Sequence, residues 1–314
     1  MKVLVTGGAG FIGRWVVKRL LEDGQEVWVL DNLSNGSRRN LEELSTNSRF
    51  RGLTTGDVSD LPNVKALFAH KFDLCIHAAA QINVQESLEN PEKSFRDNVS
   101  GTFNVMQCAR EHNIRVVIIG TCMVYDTAAA GRKLSETSPV KPSSPYAASK
   151  LAAEYLAHSY YFGYGLPVTL LRPFNTYGPF QKMNMEGGVV SIFINNYLRG
   201  DKLQIFGDGI QTRDLLYVED CADFIVRAAY SEKAIGQIIN AGTGRDIAIN
   251  ELARLICPYP ERIVHVKHHH PQSEIPKLQC DNDRAKELIG WEPRTSLIEG
   301  IEKTKDWIQA RGPG

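Results

Sequence analysis

Short β-branched runs alternate with amphipathic helical periods through the first half of the 314-residue chain. VLVT, EVWVL, DLCIHAA, VVIIG and PVTLLRPF are compact apolar runs bounded by polar or glycine residues, the pattern of buried strands. Between them FIGRWVVKRLLEDG, residues 95–112 and YAASKLAAEYLAHSYYFG repeat apolar side chains at helical spacing. Strands apolar along their whole length, separated by helices, predict a parallel sheet covered on both faces, the doubly wound Rossmann form of α/β architecture. From Asn175 the texture changes to a loop rich in Gly, Met and Asn, a helix near 189–198 and shorter elements with Pro-rich connections. The expected organisation is a first domain over 1–174, rejoined by 214–242, and a smaller mixed α/β substrate-binding lobe over 175–314.

Composition narrows the partners. Lys+Arg and Asp+Glu are equal at 36 each, so no basic field points to nucleic acid or an anionic membrane and no acidic excess to a basic partner. Cys75, Cys108, Cys122, Cys221, Cys257 and Cys280 are far apart, and several lie in apolar runs. That pattern suits a reducing compartment and predicts a cytoplasmic protein. MKVLVTGG is broken too early by glycine to be a signal peptide, and no apolar run reaches the roughly 20 residues a bilayer requires. A small molecule is the expected partner.

Thr6-Gly7-Gly8-Ala9-Gly10-Phe11-Ile12-Gly13 lies directly between the first strand and the first helix, the context in which such a glycine pattern binds a dinucleotide. Gly7 permits a tight turn, Gly10 lets backbone N–H groups approach a pyrophosphate, and Gly13 allows close helix–strand packing. The second strand ends in Asp31, where a carboxylate accepts ribose hydroxyls and repels a 2′-phosphate, which selects NAD. Asp57-Val58 follows the third strand and is placed to meet the adenine. Ala78, Ala79 and Ala80 follow the fourth and leave room for backbone to pass close to the cofactor.

Tyr146 and Lys150 are four residues apart, hence on one face of a helix that Pro145 helps to start. An ammonium beside a phenol, with a cationic nicotinamide nearby, is expected to pull the tyrosine below its ordinary value of about 10. Such a tyrosine serves as general base for a sugar hydroxyl while hydride leaves to NAD. Thr121, after VVIIG, supplies a hydroxyl for the same substrate oxygen, and Lys150 also holds the nicotinamide ribose. Tyr-x-x-x-Lys alone is common on surface helices; the dinucleotide loop and the strand-end hydroxyl give it meaning here.

These motifs, together with DNLSNG, GDVSD, HAAAQ, the Asn98/Gly101/Thr102/Asn104 pattern, LLRPFNTYGP and QTRDLLYVEDCA, make the chain resemble the extended short-chain dehydrogenase/reductases. The resemblance is to their NAD-dependent sugar-nucleotide epimerases and dehydratases, of the UDP-glucose 4-epimerase kind, and covers nearly the whole chain. It implies that Phe11, Ile12, Asn32, Asn98 and Pro173 also contact NAD. It further implies that Asn175 and Arg213 bind the diphosphate of a UDP-sugar or other nucleoside-diphosphate sugar, chemistry that suits an amide donor and a guanidinium fork. Gly187-Gly188-Val189-Val190 resembles the segment that reads the base, and Gln81, Asn83 and Thr176 are candidates for sugar hydroxyls. A homodimer through 95–112 and 146–163 is implied as well.

The resemblance leaves the reaction open. Dehydratases of the family carry an acid or base in the two residues after the triad hydroxyl, whereas this chain has Cys122 and Met123. Met123 can only line the pocket, and Cys122 acts as acid or base only with a tuned thiol. The shortest path is 4-epimerisation, in which C4 is oxidised, the ketone turns and hydride returns to the other face. Dehydration, decarboxylation, a 5,6-elimination using Cys122, and a nonenzymatic NAD-binding role stay open. In the run 268–274, His270 stands where many relatives place a diphosphate-binding arginine. The histidines at 265–270 have no regularly spaced acidic or cysteine partner, and no metal is expected. Lys182 is placed to meet a C6 carboxylate or to stay solvated.

Overall fold

The computed structural model describes residues 1–128, 131–183 and 187–312. The chain begins with β1 (Lys2–Thr6), α1 (Phe11–Glu22), β2 (Glu26–Asp31), β3 (Phe50–Thr55), α2 (Leu61–Phe68) and β4 (Leu74–His77). Two short helices, α3 (Val84–Glu89) and α4 (Pro91–Ser94), a π turn over Phe95–Ser100 and α5 (Gly101–His112) lead to β5 (Arg115–Ile119), α6 (Pro145–Tyr164) and β6 (Val168–Pro173). Then come β7 (Asn175–Tyr177), α7 (Val189–Arg199), β8 (Leu203–Phe206), β9 (Thr212–Tyr217), α8 (Val218–Tyr230) and β10 (Ile238–Ala241). The remainder is β11 (Asp246–Ala248), α9 (Ile249–Ile256), β12 (Ile263–Val266), β13 (Lys277–Leu278), α10 (Asp283–Ile289) and α11 (Leu297–Arg311).

The large sheet has the order β10-β6-β5-β4-β1-β2-β3, and its pairings are all parallel. The order runs outward from β1 in both directions, so the crossovers diverge at β1/β4 and open a crevice at the carboxyl ends of the strands. The apolar runs are buried on both faces. Val3 and Val5 pack with Val16, Val17 and Leu20 of α1 and Cys221, Phe224 and Ile225 of α8. Leu4, Cys75 and Val116 face Phe68, Met106 and Tyr160 on the other side. This is the doubly wound Rossmann sheet that the strand pattern predicted.

A second sheet stands over the crevice, with β11 antiparallel and β7 and β13 parallel to β9, while β12 pairs with β8. The stretch 214–242 is divided. Strand β9 belongs to the small sheet, whereas α8 packs on α1 and β10 closes the edge of the large one. The predicted helix over 95–112 is also interrupted, because its first turn is π-helical.

Three aromatic residues, Trp15, Phe180 and Trp307, tie α1 to α11. Trp15 Nε1 donates to the Pro179 carbonyl at 3.2 Å, and the Phe180 ring lies under the Arg14 guanidinium at 3.9 Å. From the other side Trp307 of α11 meets Phe180 at 4.9 Å and Arg311 covers it at 4.6 Å. Phe180 holds this place with φ at +72°, a conformation that a side chain other than glycine adopts only when its surroundings fix it. Among the described residues, no helix is long and apolar enough to cross a membrane.

Candidate active site

The glycine turn between β1 and α1 is built for close backbone approach. Gly7 has φ +71°, and a Cβ there would lie 2.6 Å from the Ala79 nitrogen. At Gly13 a Cβ would lie 2.0 Å from the Gly7 carbonyl oxygen, so helix and turn meet without space for a methyl group. Helix α1 starts after Gly10, which leaves first-turn N–H groups without partners from within the helix to face an anion. Asp31, at the end of β2, accepts hydrogen bonds from the backbone N–H of Ala9 at 2.9 Å and of Leu33 at 2.8 Å. Burial pushes its carboxyl up, against those N–H groups and that of Gly10. Asn32 Nδ2 donates to Asp57 Oδ2 at 2.7 Å; burial raises that carboxyl, but Asn32 and Ser59 hold it below its ordinary value.

These groups line one end of a cleft of about 630 Å³ that continues between the two sheets. Of the residues expected to meet the dinucleotide, Gly7, Gly10, Phe11, Ile12, Gly13, Asp31, Asn32, Asp57, Val58, Ala78, Ala79, Ala80 and Pro173 are on its wall. So are Thr121, Cys122, Met123, Tyr146 and Lys150 in the middle, and Asn175, Thr176, Lys182, Gly188, Val189, Arg213 and His270 toward the small sheet. A glycine cradle without room for Cβ and a buried carboxylate at the end of the second strand fit NAD.

Four expected residues are not on that wall. Asn98 is buried and its carboxamide is consumed inside the fold: Oδ1 accepts from Gln81 N at 2.7 Å, and Nδ2 donates to Gln81 O at 3.0 Å and Ser149 Oγ at 2.9 Å. Ser149 in turn donates to the Tyr146 carbonyl, so the Asn98 carboxamide braces the first turn of α6. The Gln81 side chain is held by Asn83 O, Glu86 and Ser94. Asn83 caps α3 by accepting from Glu86 N at 2.9 Å. Val190, one residue into α7, is fully buried in the core of the small-sheet region.

The triad geometry is set by α6 and the end of β5. Ser144 caps the helix through Ala147 N and Pro145 occupies its first position, which fixes where Tyr146 and Lys150 fall. Tyr146 hydrogen-bonds Thr121, but burial pushes the phenol up to about 12, above its ordinary value. The expected depression by Lys150 does not occur in the chain alone. The ammonium is directed to the Ile119 carbonyl at 2.6 Å, and burial lowers it to about 8, opposed by Glu154. Beneath the cofactor turn, His77 bridges Thr6 Oγ1 at 2.7 Å and Thr102 Oγ1 at 3.1 Å; burial and then Lys150 lower it to about 3, leaving a neutral imidazole.

Toward the small sheet, Arg213 of β9 is ion-paired with Glu274, and its Nη1 donates to the Ile275 carbonyl at 2.9 Å. Glu274 also meets His268 Nε2 at 2.8 Å. Sequence reasoning missed the Arg213–Glu274 pair, since sixty-one residues separate the partners and only the pairing of β13 with β9 brings them together. It also missed Phe180 and Trp307, whose apolar character reads as ordinary core. The Asn175 Oδ1 atom has no hydrogen-bond partner among the described residues. His265 Nε2 is engaged by Asn250 at 2.9 Å, away from His268.

Comparison with known proteins bears on this site. The sequence model of the NAD dependent epimerase/dehydratase family matches residues 3–242. A UDP-glucose 4-epimerase of Mycolicibacterium smegmatis is 38% identical over 98% of this chain and 99% of its own. Among solved structures, Pal from Bacillus thuringiensis is 55% identical with a TM-score of 0.98, covering 99% of this chain and all of the other. The UDP-glucose 4-epimerase of Thermus thermophilus in complex with NAD is 32% identical with a TM-score of 0.90, covering 99% of this chain and all of the other. Relatives named as decarboxylases and dehydratases match as well.

Proposed function

This chain belongs to the NAD-dependent epimerase/dehydratase family, and we propose that within it the enzyme inverts C4 of a UDP-sugar. The observation that carries this reading is the middle of the cleft, where Thr121, Tyr146 and Lys150 converge while the neighbouring wall positions are Cys122 and Met123. Bound NAD supplies a hydride acceptor, a returnable hydride and a cationic ring. Gly7, Gly10, Gly13 and Asp31 would hold its adenosine diphosphate half, and Lys150 its nicotinamide ribose. Tyr146 takes the proton of the C4 hydroxyl and later returns it, with Thr121 orienting the same oxygen. With the phenol pushed up to about 12 by burial, proton removal at neutral pH depends on added positive charge beside it. Arg213, released from Glu274, and Asn175 bind the diphosphate, leaving the sugar to turn between Met123 and Thr176.

A second reading rests on Cys122. Its thiol is buried beside Tyr146, and burial pushes it up to about 12, so it stays protonated and is no base. A protonated thiol at that place can hydrogen-bond a leaving C6 hydroxyl after oxidation at C4, a dehydratase reaction whose C5 proton must go to a base other than Cys122. Incubation with UDP-glucose, UDP-N-acetylglucosamine and UDP-glucuronic acid, followed by NMR, separates the two. A stereoisomer supports epimerisation; an alkene, a 4-keto-6-deoxy sugar or released carbon dioxide overturns it. The same reading includes a homodimer through α5 and α6, whose exposed Phe103, Tyr155 and Phe162 offer an apolar surface. Light scattering on the purified chain tests it.

A further inference from the structure

We infer that Glu154 is a positioning residue for the triad: a buried carboxylate, anchored by Arg172, that keeps Lys150 charged and fixes the strand end carrying Thr121. Tyr146, Lys150 and Glu154 recur at intervals of four on α6, so they lie along one face of the helix. Glu154 and Arg172 are only 1% and 2% exposed. Glu154 Oε2 accepts from Arg172 Nε at 3.0 Å and Nη2 at 2.7 Å, so two charged donors converge on that one oxygen. Arg172 is held in turn by Tyr125, whose ring lies 4.8 Å below the guanidinium and whose hydroxyl donates to Asn240 Oδ1 at 2.7 Å.

The other oxygen of Glu154 faces the catalytic side. Among the described residues Oε1 has no hydrogen bond of good geometry, yet a Cβ on Gly120 would lie 2.1 Å from it. Gly120 therefore lets the Glu154 carboxyl sit against the chain just before Thr121; burial pushes that carboxyl up, opposed by Arg172, Lys150 and the backbone N–H of Thr121, which favour its charged form. A pair needed only for stability has no reason to aim its free oxygen at this strand end, and a well-packed apolar pair would serve as well there.

Lys150 interacts with His77 from β4 and with Glu154 from its own helix, while Tyr146 lies one turn before it on α6, Cys122 beside Tyr146, and Arg172 from β6 behind Glu154. His77 is neutral and Cys122 and Tyr146 are protonated at neutral pH. Glu154 is the one group among these that opposes the loss of the Lys150 proton. Burial brings Lys150 down to about 8, close enough to working pH for a neighbouring charge to decide its state.

The test titrates Lys150 directly, in protein without added substrate, by NMR of isotopically labelled lysine, with the signal assigned through Lys150→Met. In the wild type the inflection is expected near 8. In Glu154→Gln it is expected at least about one unit lower, in the range that an opposite charge shifts a neighbour. Glu154→Asp, which keeps the charge but withdraws it by one methylene, falls between. The alkaline limb of turnover on a UDP-sugar moves with the titration, and at pH 8 Glu154→Gln loses about fivefold or more relative to wild type. If Glu154→Gln does not fold because Arg172 is left alone, Glu154→Gln with Arg172→Met removes both charges and is expected to show the same shift. An unchanged Lys150 inflection in a folded variant lacking the carboxylate overturns the inference. Because the titration needs no substrate, a wrong choice of sugar or reaction leaves this result intact and separately readable.

Discussion

On the large-sheet side the cleft wall is mostly backbone: a glycine turn, three alanines after β4, and the open amino end of α1. On the small-sheet side it is mostly long side chains drawn from β9, the segment before β13 and α11, and they are already paired with one another, as Arg213 is with Glu274. The first wall is rigid before anything binds, since a methyl at Gly13 has no place to go. In the proposed reading the second exchanges partners, because a diphosphate would compete with Glu274 for the Arg213 guanidinium. Affinity for the cofactor is thus a property of chain path, and affinity for the sugar nucleotide a balance of charges.

That contrast can be broken at several points. The largest effect is expected where the two walls meet: Tyr146→Phe lowers turnover about a thousandfold or more while NAD remains bound, read by steady-state kinetics and nicotinamide absorbance. Retained turnover at neutral pH would remove Tyr146 as the base. On the rigid wall, Gly13→Ala forces backbone apart at the turn and costs about 1–3 kcal/mol. It is expected to empty the protein of NAD and lower its melting temperature, and normal cofactor content would show that the turn can yield. On the exchangeable wall, Arg213→Met raises KM for a UDP-sugar about 10- to 100-fold and leaves NAD content unchanged, consistent with loss of a charged hydrogen bond. A fall in kcat with KM untouched would place Arg213 elsewhere in the reaction.

The smallest effect concerns stability. His77 sits at about 3 in the folded chain against 6.5 in the unfolded one, so the unfolded state binds the proton more readily. Its contribution is complete above pH 6.5 and is lost as pH falls toward 3, with a slope of at most about 1.4 kcal/mol per pH unit. Urea unfolding of His77→Asn is expected to be less stable at pH 7 and flatter between pH 6.5 and 4. An unaltered slope would assign acid sensitivity to other groups.

The same contrast explains what could be read from the sequence. The turn at Gly7 to Gly13, Asp31 and the Tyr146/Lys150 spacing are local patterns whose meaning is set by the strand or helix beside them, and the alternation of apolar runs gave the large sheet directly. The internal hydrogen bonds of Asn98, Gln81 and Asn83 could not be read, because an amide facing a ligand and an amide bonded inside the fold look alike in sequence. Only the π turn and the contact with Ser149 distinguish them. The small sheet was invisible for a related reason: its strands are as short as the two residues of β13, and they pair across gaps that periodicity does not span. The phenol of Tyr146 shows the limit in electrostatics, since spacing places a lysine on the same face but does not say where its ammonium points.

The packing of Trp307 and Arg311 on Phe180 has a consequence for how the enzyme is made. During synthesis, the sheet from β1 to β6 and its glycine turn are complete before α11 leaves the ribosome, whereas Phe180 gains its second face only when α11 docks. A nascent chain is therefore expected to acquire its dinucleotide pocket early and the far wall of its cleft only once α11 has emerged. Translation arrested just short of Trp307 would yield a protein that captures cofactor and turns nothing over.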